Sequence, residues 1–315
     1  MAEPIRIDSH VHLFDTEAQG HFAKDAYDIW EYGDQDAVSF SALSGTVAEI
    51  ETAMAEAGIA RSVVVNLFLA GEERKAFAAA LPAGLGEAER ATRLADFEAG
   101  LAQGFTRYNR DACRVARAHP TLVPFVTMDV TILAAEAGAA HLTDLVENEG
   151  ARGVKLHGPA QGFFMGDERL GPIYAACRDL GLAVIGHSGP DREAQGFAEP
   201  RAFGAALAAF PEVNIVLAHM GGATWNQALE IAKSHENAYF DCCEIIEWTR
   251  SPNGPSDEQL GQLIHEIGAD RVMMGSDYPW YDLDHTVERV LELPVLSAEE
   301  KAGMLGANAA RILGL

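Results

Sequence analysis

The sequence predicts one (β/α)8 barrel of the TIM-barrel class, spanning 1–315, with loop insertions that cap its C-terminal mouth. Three observations point there. Short apolar runs rich in β-branched residues alternate with longer alanine-rich stretches from one end of the chain to the other. Eight such runs occur, and they are more often continuous than alternating in polarity, as expected of a parallel sheet covered by helices. Several end in polar residues that a packed core would not request, among them Lys155, His157, His187, His219, Asp241 and Asp277. In a closed barrel those ends meet at one mouth, which makes eight-strand closure the economical solution. A chain of 315 residues accommodates a bare barrel of roughly 250 and its insertions.

The strand candidates, in order, are 5–8, 62–67, 122–127, 153–156, 182–185, 214–218, 238–242 and 271–274. Between them, helical periodicity is read over 46–57, 87–118, 133–147, 170–180, 200–209, 224–234, 256–267 and 282–291. Two connections are long. Residues 13–45 hold Phe14, His21, Tyr27, Trp30, Tyr32 and Phe40 among many acids, and 68–100 is rich in alanine and glutamate. Structureless loops of more than about 15 residues are rare inside a compact domain, so both are expected to pack as caps over the mouth. The tail from Ser297 reads as closing helices, with Ser297 and Glu300 spaced for a capping box.

Composition removes several classes of function. There are 47 acidic against 23 basic residues, a formal charge of −24, which repels phosphate backbones and anionic membranes. A nucleic-acid or membrane partner is therefore not expected, and a small molecule is. The four cysteines lack C-x-x-C spacing, and Cys242 and Cys243 would face opposite sides of a strand, so neither a disulfide framework nor a zinc knuckle is indicated. The opening MAEPIRIDSH has no basic stretch followed by an apolar one, and no apolar run reaches about 18 residues. A reducing, cytoplasmic setting is the expectation, with a symmetric homodimer as the common state of such enzymes.

His10 and His12 lie two apart on an extended segment, so both imidazoles face one side and can share a cation such as zinc. Asp8 before them can orient a ring, bind substrate or cap the loop. His187 and His219 each follow a buried apolar run and precede glycine-containing turns. Either could be a core histidine satisfied by a carbonyl, but two in successive strand ends favour a shared site. Asp277 emerges from the last apolar strand, where an unpaired carboxylate would be costly. It can ligate a metal through one oxygen and take a proton through the other, so it is both a metal and a catalytic candidate.

Lys155 and His157 share a face of the fourth strand. Lys155 could form a carbamate bridging two metals, bind substrate or developing charge as an ammonium, or sit in a salt bridge beneath the site. His157, nearer the mouth, is a candidate substrate donor. Arg110 and Arg192 could fork onto a substrate carboxylate, and Glu244, just past the seventh strand beside Trp248, could line the mouth. Cys242 and Cys243 read as buried filling, because no activating base is evident.

Together, Ile7-Asp8-Ser9-His10-Val11-His12, Gly153-Val154-Lys155-Leu156-His157, Val184-Ile185-Gly186-His187-Ser188-Gly189, Leu217-Ala218-His219-Met220-Gly221-Gly222 and Gly275-Ser276-Asp277-Tyr278-Pro279 resemble the amidohydrolase superfamily. The resemblance is to its amidohydrolase-related branch, of aminocarboxymuconate-semialdehyde decarboxylase-like, γ-resorcylate decarboxylase-like and pyrone-dicarboxylate lactonase enzymes. Asn308-Ala309-Ala310-Arg311 looks like the terminal helix of that family. The resemblance implies one divalent metal, zinc before manganese, held by His10, His12, His187 and Asp277, with His219 activating water or substrate. A second metal on a carboxylated Lys155 is the lesser alternative. The chain departs from the family's lysine-leucine-histidine-proline pattern by placing Gly158 before Pro159. A metal-activated water attacking a C–O or C–N bond is the expected chemistry, Asp277 or His219 taking its proton and Lys155 helping to hold the oxyanion. A metal-dependent non-oxidative decarboxylase of an aromatic or dienoic acid is the alternative enzyme, and a noncatalytic metal- or ligand-binding barrel the alternative class.

Overall fold

Residues 5–25, 32–33, 38–189, 191 and 195–315 are described by a computed structural model of the protein. Among them run eight parallel strands in sequential order: β1 Arg6–Val11, β2 Ile59–Val64, β3 Leu122–Thr127, β4 Gly153–Leu156, β5 Ala183–His187, β6 Ile215–Ala218, β7 Ala238–Asp241 and β8 Val272–Met273. Helices α1 Glu17–Asp25 and α2 Val47–Ala57 follow β1, and α3 Ala70–Ala80 and α4 Glu87–Ala118 follow β2. Then come α5 Ala135–Asp144 after β3, α6 Gly158–Gln161 and α7 Gly171–Leu180 after β4, and α8 Gly204–Ala209 after β5. Next are α9 Ala228–Ser234 after β6, α10 Asp257–Ile267 after β7, and α11 Leu283–Glu292, α12 Ala298–Ala302 and α13 Asn308–Leu313 after β8. The result is a nearly closed (β/α)8 barrel, the architecture expected from the sequence.

Alternation along each strand sorts the apolar residues into two cores. Ile7, Val63, Val123, Phe125, Ala183, Ile185, Val216 and Met273 point inward and pack with Ile312 and Leu313 of α13. Val64, Leu122, Val126, Val154, Val184, Leu217 and Phe240 point outward beneath the helices. The α13 end lies under the N-terminal strand ends, where Asn214 donates to the Ile312 carbonyl at 2.8 Å and Arg152 to that of Gly314 at 2.6 Å. Gly153 makes room inside: a Cβ there would stand 2.1 Å from the Phe125 ring. With the barrel filled from below, the next inward side chain of β4, two residues on, is Lys155.

The β1/β8 seam is held by backbone bonds from Ser9 to Met274 at 3.0 Å, Asp277 to His10 at 2.9 Å and His12 to Tyr278 at 2.7 Å. The buried Asp8 carboxylate locks it, accepting from the Ser276 hydroxyl at 2.5 Å and from the amides of Ser276 and His10 at 3.0 Å each. Burial pushes the Asp8 carboxyl up to about 7, against the pull of those hydrogen bonds. Gly275 lets the two strands approach, since a Cβ there would meet His10 Cβ at 2.9 Å.

Element boundaries differ from expectation where backbone chemistry intervenes. Residues expected to start a helix at 224 form an irregular turn instead, with Met220, Gly221 and Gly222 at positive φ, and α9 begins at Ala228. The described part of 13–45 leans over the mouth: Lys24 donates to the carbonyls of Ser41 and Leu43, and Ser41 to that of Trp280 at 2.8 Å. The 68–100 excursion is a helical pair, α3 and the start of α4, joined by Arg74–Glu98 at 2.7 Å and stacked Phe77 and Phe97. Ser297 and Glu300 form the expected capping box. No helix among the described residues is long and apolar enough to cross a membrane.

Candidate metal centre

All the strand-end residues singled out in the sequence lie among the described residues. His10 and His12 come from the end of β1, and Asp277 from just beyond β8. Their donor atoms converge: Asp277 Oδ1 lies 3.3 Å from His12 Nε2 and 3.6 Å from His10 Nε2. The three can hold one ion between them, and all are buried or nearly so. Lys155 Nζ is 3.2 Å from His10 Nε2, fully buried at the floor of the cluster.

His219 stands behind this trio, with three contacts to two residues. Its Nε2 is 3.1 Å from His187 Nδ1, and its Nδ1 is 3.3 Å from the Cys243 carbonyl oxygen and 3.1 Å from the Cys243 sulfur. The three-residue ligand groups found among the described residues do not include His187. Its ring stacks on His157 at 3.9 Å. His157 caps α6, Nδ1 accepting from the Ala160 amide at 3.2 Å, so in the neutral ring Nε2 carries the proton and can donate. The Gly158-Pro159 departure thus opens a short helix rather than displacing the imidazole.

Burial decides the charge state of this cluster. It drives His10 and His157 well below the ordinary imidazole range and brings His219 down to about 4. Burial also lowers Lys155, against the pull of Asp241 and Asp277. Asp277 goes the other way from most buried acids: burial opposes ionisation, but the His12 hydrogen bond and the neighbouring His10 and His219 outweigh it and hold the carboxyl far down. The centre is a set of lone pairs facing one another, a geometry that asks for a cation. His219, Glu244 and Asp277 also share left-handed backbone, with φ of 63°, 62° and 58°. Non-glycine residues adopt it at a cost of about 1–2 kcal/mol each, and such strain concentrates at functional positions.

Two residues had no assigned part in the sequence reading. Asp241, noted only as a polar strand end, accepts from the His219 amide and the Cys243 thiol through Oδ1, both at 2.8 Å, and its Oδ2 is 3.1 Å from His10 Nδ1. Burial raises its carboxyl, opposed by His219 and Cys243. Cys243 was expected to be filling without a base beside it. It is buried, but an imidazole and a carboxylate flank its sulfur, because the base comes from β6 and not from its own strand.

Glu244 is buried at the mouth and accepts from Tyr32 Oη at 3.0 Å. Tyr32 stacks on Trp248, whose indole donates to Tyr281 at 2.6 Å, so the first long loop and the segment after β7 are joined above the centre. Arg110 is a correction. It lies exposed on the outer helix α4, paired with Asp144 at 2.7 Å, because that helix runs down the outside of the barrel toward β3. Arg192 lies outside the described residues.

A family model described as amidohydrolase matches residues 7–315. The 2-amino-3-carboxymuconate-6-semialdehyde decarboxylase of Dictyostelium discoideum is 25% identical over 214 residues, covering 57% of this chain and 58% of that protein's length. The chain thus spans less than two thirds of that curated relative. Among solved structures, 5-carboxyvanillate decarboxylase of Sphingomonas paucimobilis matches with a TM-score of 0.63 at 17% identity, over 99% of both chains. A dihydroxybenzoic acid decarboxylase of Polaromonas, with bound manganese and the inhibitor 2-nitroresorcinol, matches at 0.65 and 14% identity, over 99% of this chain and 97% of that one. These relatives overturn the expectation of a hydrolase. The ligand types at the strand ends suit both reactions, and the relatives described here are decarboxylases.

Proposed function

This chain belongs to the amidohydrolase family, and from that premise we propose that it is a divalent-metal-dependent, non-oxidative decarboxylase of a small aromatic or dienoic acid. The observation that carries the metal dependence is the convergence of His10, His12 and Asp277 on one point at the barrel mouth, and the choice of decarboxylation is supported by the decarboxylases that the chain is similar to. Two imidazole nitrogens and a carboxylate oxygen fit a first-row divalent ion. His10 fits best of all, since Asp241 engages Nδ1 and leaves Nε2 as the ligand atom. His187, whose Nδ1 faces His219, would serve as the fourth ligand. The set accepts zinc or manganese, and the manganese in the Polaromonas relative favours the latter. When bound, the cation supplies a positive centre that orients the substrate carboxylate or an adjacent phenolate.

The chain's own groups then account for the reaction. The C–CO2 bond breaks heterolytically, its electron pair stays on the ring or diene carbon, that carbon takes one proton, and carbon dioxide leaves. Asp277 turns Oδ1 to the two imidazoles, and its second oxygen moves the proton at carbon. His219, in the same cluster, exchanges that proton. Lys155, as an ammonium beneath the cluster, offsets the charge that develops in the ring. His157 offers Nε2–H to a substrate oxygen, and Glu244 with Tyr32 and Trp248 shapes the roof. The four buried, unpaired cysteines support a reducing compartment.

The test is a panel of hydroxybenzoates and dienoic acids beside lactones and amides, incubated with the manganese-loaded protein. Release of carbon dioxide with loss of the carboxylate is expected. Hydrolysis of a lactone or amide, with no carbon dioxide from any acid, would overturn the proposal.

A further inference from the structure

Cys243 has no part in decarboxylation, yet its thiol is the one sulfur at the centre of the described cluster. Its Sγ is fully buried, 3.1 Å from His219 Nδ1 and 2.8 Å from Asp241 Oδ1. One ligand atom each from His10, His219 and Cys243 lies within 4.8 Å of the others, as do those of His10, His12 and Asp277. His10 belongs to both sets. The cluster therefore offers a cation two different environments that share the His10 imidazole: nitrogen with carboxylate beside Asp277, nitrogen with sulfur beside Cys243.

We propose that His10, His219 and Cys243 form a second cation site that selects thiophilic divalent ions of the cadmium and zinc class and whose occupation silences the enzyme. The selectivity follows from ligand softness: thiolate favours zinc-like ions, whereas manganese prefers oxygen. Coordination replaces the S–H bond with a metal–sulfur bond, and the released proton has an acceptor in place, Asp241 Oδ1. Occupation also engages the His219 imidazole, which then cannot exchange the proton needed at the substrate carbon. This consequence for turnover rests on the proposed decarboxylase reading, whereas the binding site does not.

Other features favour a real site over chance proximity. Cys242, the neighbouring residue, turns to the opposite side and packs in the outer core, so a single thiol of the pair faces the cluster. Asp241 fixes both ends of the set, taking the His219 amide and the Cys243 thiol on one oxygen while facing His10 Nδ1 with the other. The ligands are thus held by one buried carboxylate on β7, the kind of support that orients metal ligands in proteins.

The full-length, metal-free protein is titrated with cadmium chloride while the sulfur-to-metal charge-transfer absorption is followed in the ultraviolet. The expected result is a saturable band at one ion per chain, which persists in excess manganese. Cys243→Ser and Cys243→Ala should lose the band and bind cadmium on the order of tenfold or more weakly, and Cys242→Ser should keep it. Thermal unfolding of each variant establishes that it is folded. Absence of the band in the wild type, or its survival in both Cys243 variants, would overturn the site. The second arm measures carbon dioxide release from the manganese-loaded enzyme at rising cadmium. Inhibition that requires more cadmium in the folded Cys243→Ser variant supports silencing, and identical inhibition in both proteins refutes it. Failure of the decarboxylase reading leaves the absorption band untouched, so the two failures are distinguishable.

Discussion

The Asp241 carboxylate faces His10 Nδ1 at 3.1 Å, with both side chains fully buried. This contact sets the tautomer of His10, because the ring proton placed on Nδ1 leaves the Nε2 lone pair toward Lys155 and Asp277. Replacing Asp241 by Asn keeps the volume and removes the charge that makes the ring a strong donor. Affinity for a divalent ion should fall about 10–100-fold, measured by competition with a chromophoric chelator. An Asp241→Asn protein that binds manganese as tightly as the wild type would remove the residue from this supporting role.

Asp277 is the meeting point of both imidazoles, and its carboxylate is held ionised by them. Asp277→Asn keeps the shape and one potential ligand oxygen but cannot carry a proton. A loss of about 10²–10⁴ in kcat is expected. Single-turnover measurement of carbon dioxide release at saturating metal checks it, and retention of most of kcat would exclude Asp277 from the proton path.

Much of this was legible because parallel strands are buried on both sides and read as uninterrupted apolar runs. All eight strand candidates coincide with or overlap observed strands. The trio of His10, His12 and Asp277 could be proposed because each residue interrupts such a run at its polar end. Asp241 interrupts one too, but its role depends on what stands across the barrel, and β1 and β7 are far apart in the chain. The base beside the buried Cys243 is hidden from the sequence for the same reason, its imidazole neighbour coming from just past β6. Arg110 failed in the opposite direction: a guanidinium suits a carboxylate anywhere, and only the helix path shows that Asp144 takes it. Hydrolysis and decarboxylation could not be separated, since both need a cation and a proton carrier at the same strand ends.

Metal removal should separate activity from folding. The inner core of Val63, Phe125, Ile185 and Val216 and the α13 plug do not involve the candidate ligands. A chelated protein should keep its circular dichroism spectrum while losing turnover. Restored metal at about a hundred times its Kd should stabilise the folded state by about 2.7 kcal/mol, read as a rise in unfolding midpoint. Loss of the native spectrum on chelation would make the ion structural.

Gly275 sits where β8 passes β1, and an added Cβ would meet His10 Cβ at 2.9 Å and Cys243 Cβ at 3.1 Å. Gly275→Ala must push these side chains aside, an overpacking that costs about 1–3 kcal/mol. Because both displaced residues belong to the metal cluster, metal affinity should suffer along with stability. Chemical denaturation and metal competition on the same preparation test this, and a destabilised variant with wild-type affinity would show that the strain is absorbed elsewhere.

Acid sensitivity should have one readable contribution from Glu49. Burial opposes its ionisation, but the Ser44 hydroxyl donates to it at 2.5 Å, the Thr46 amide at 3.0 Å and the Thr46 hydroxyl at 2.8 Å. These bonds bring the carboxyl from its ordinary 4.5 down to about 2. A folded-state value below the unfolded one means that stability is fully present above the unfolded value and is lost as pH falls toward the folded one. The window is therefore between about 4.5 and 2. Glu49 is partly exposed, so the full shift is discounted for screening to about 1–2 kcal/mol. Urea unfolding of wild type and Glu49→Gln should differ by that amount near about pH 6 and by roughly half or less near about pH 3. The comparison cancels the other acids, which titrate in both proteins. A difference that does not narrow between the two conditions would mean that Glu49 holds the start of α2 through its hydrogen bonds alone, irrespective of its charge.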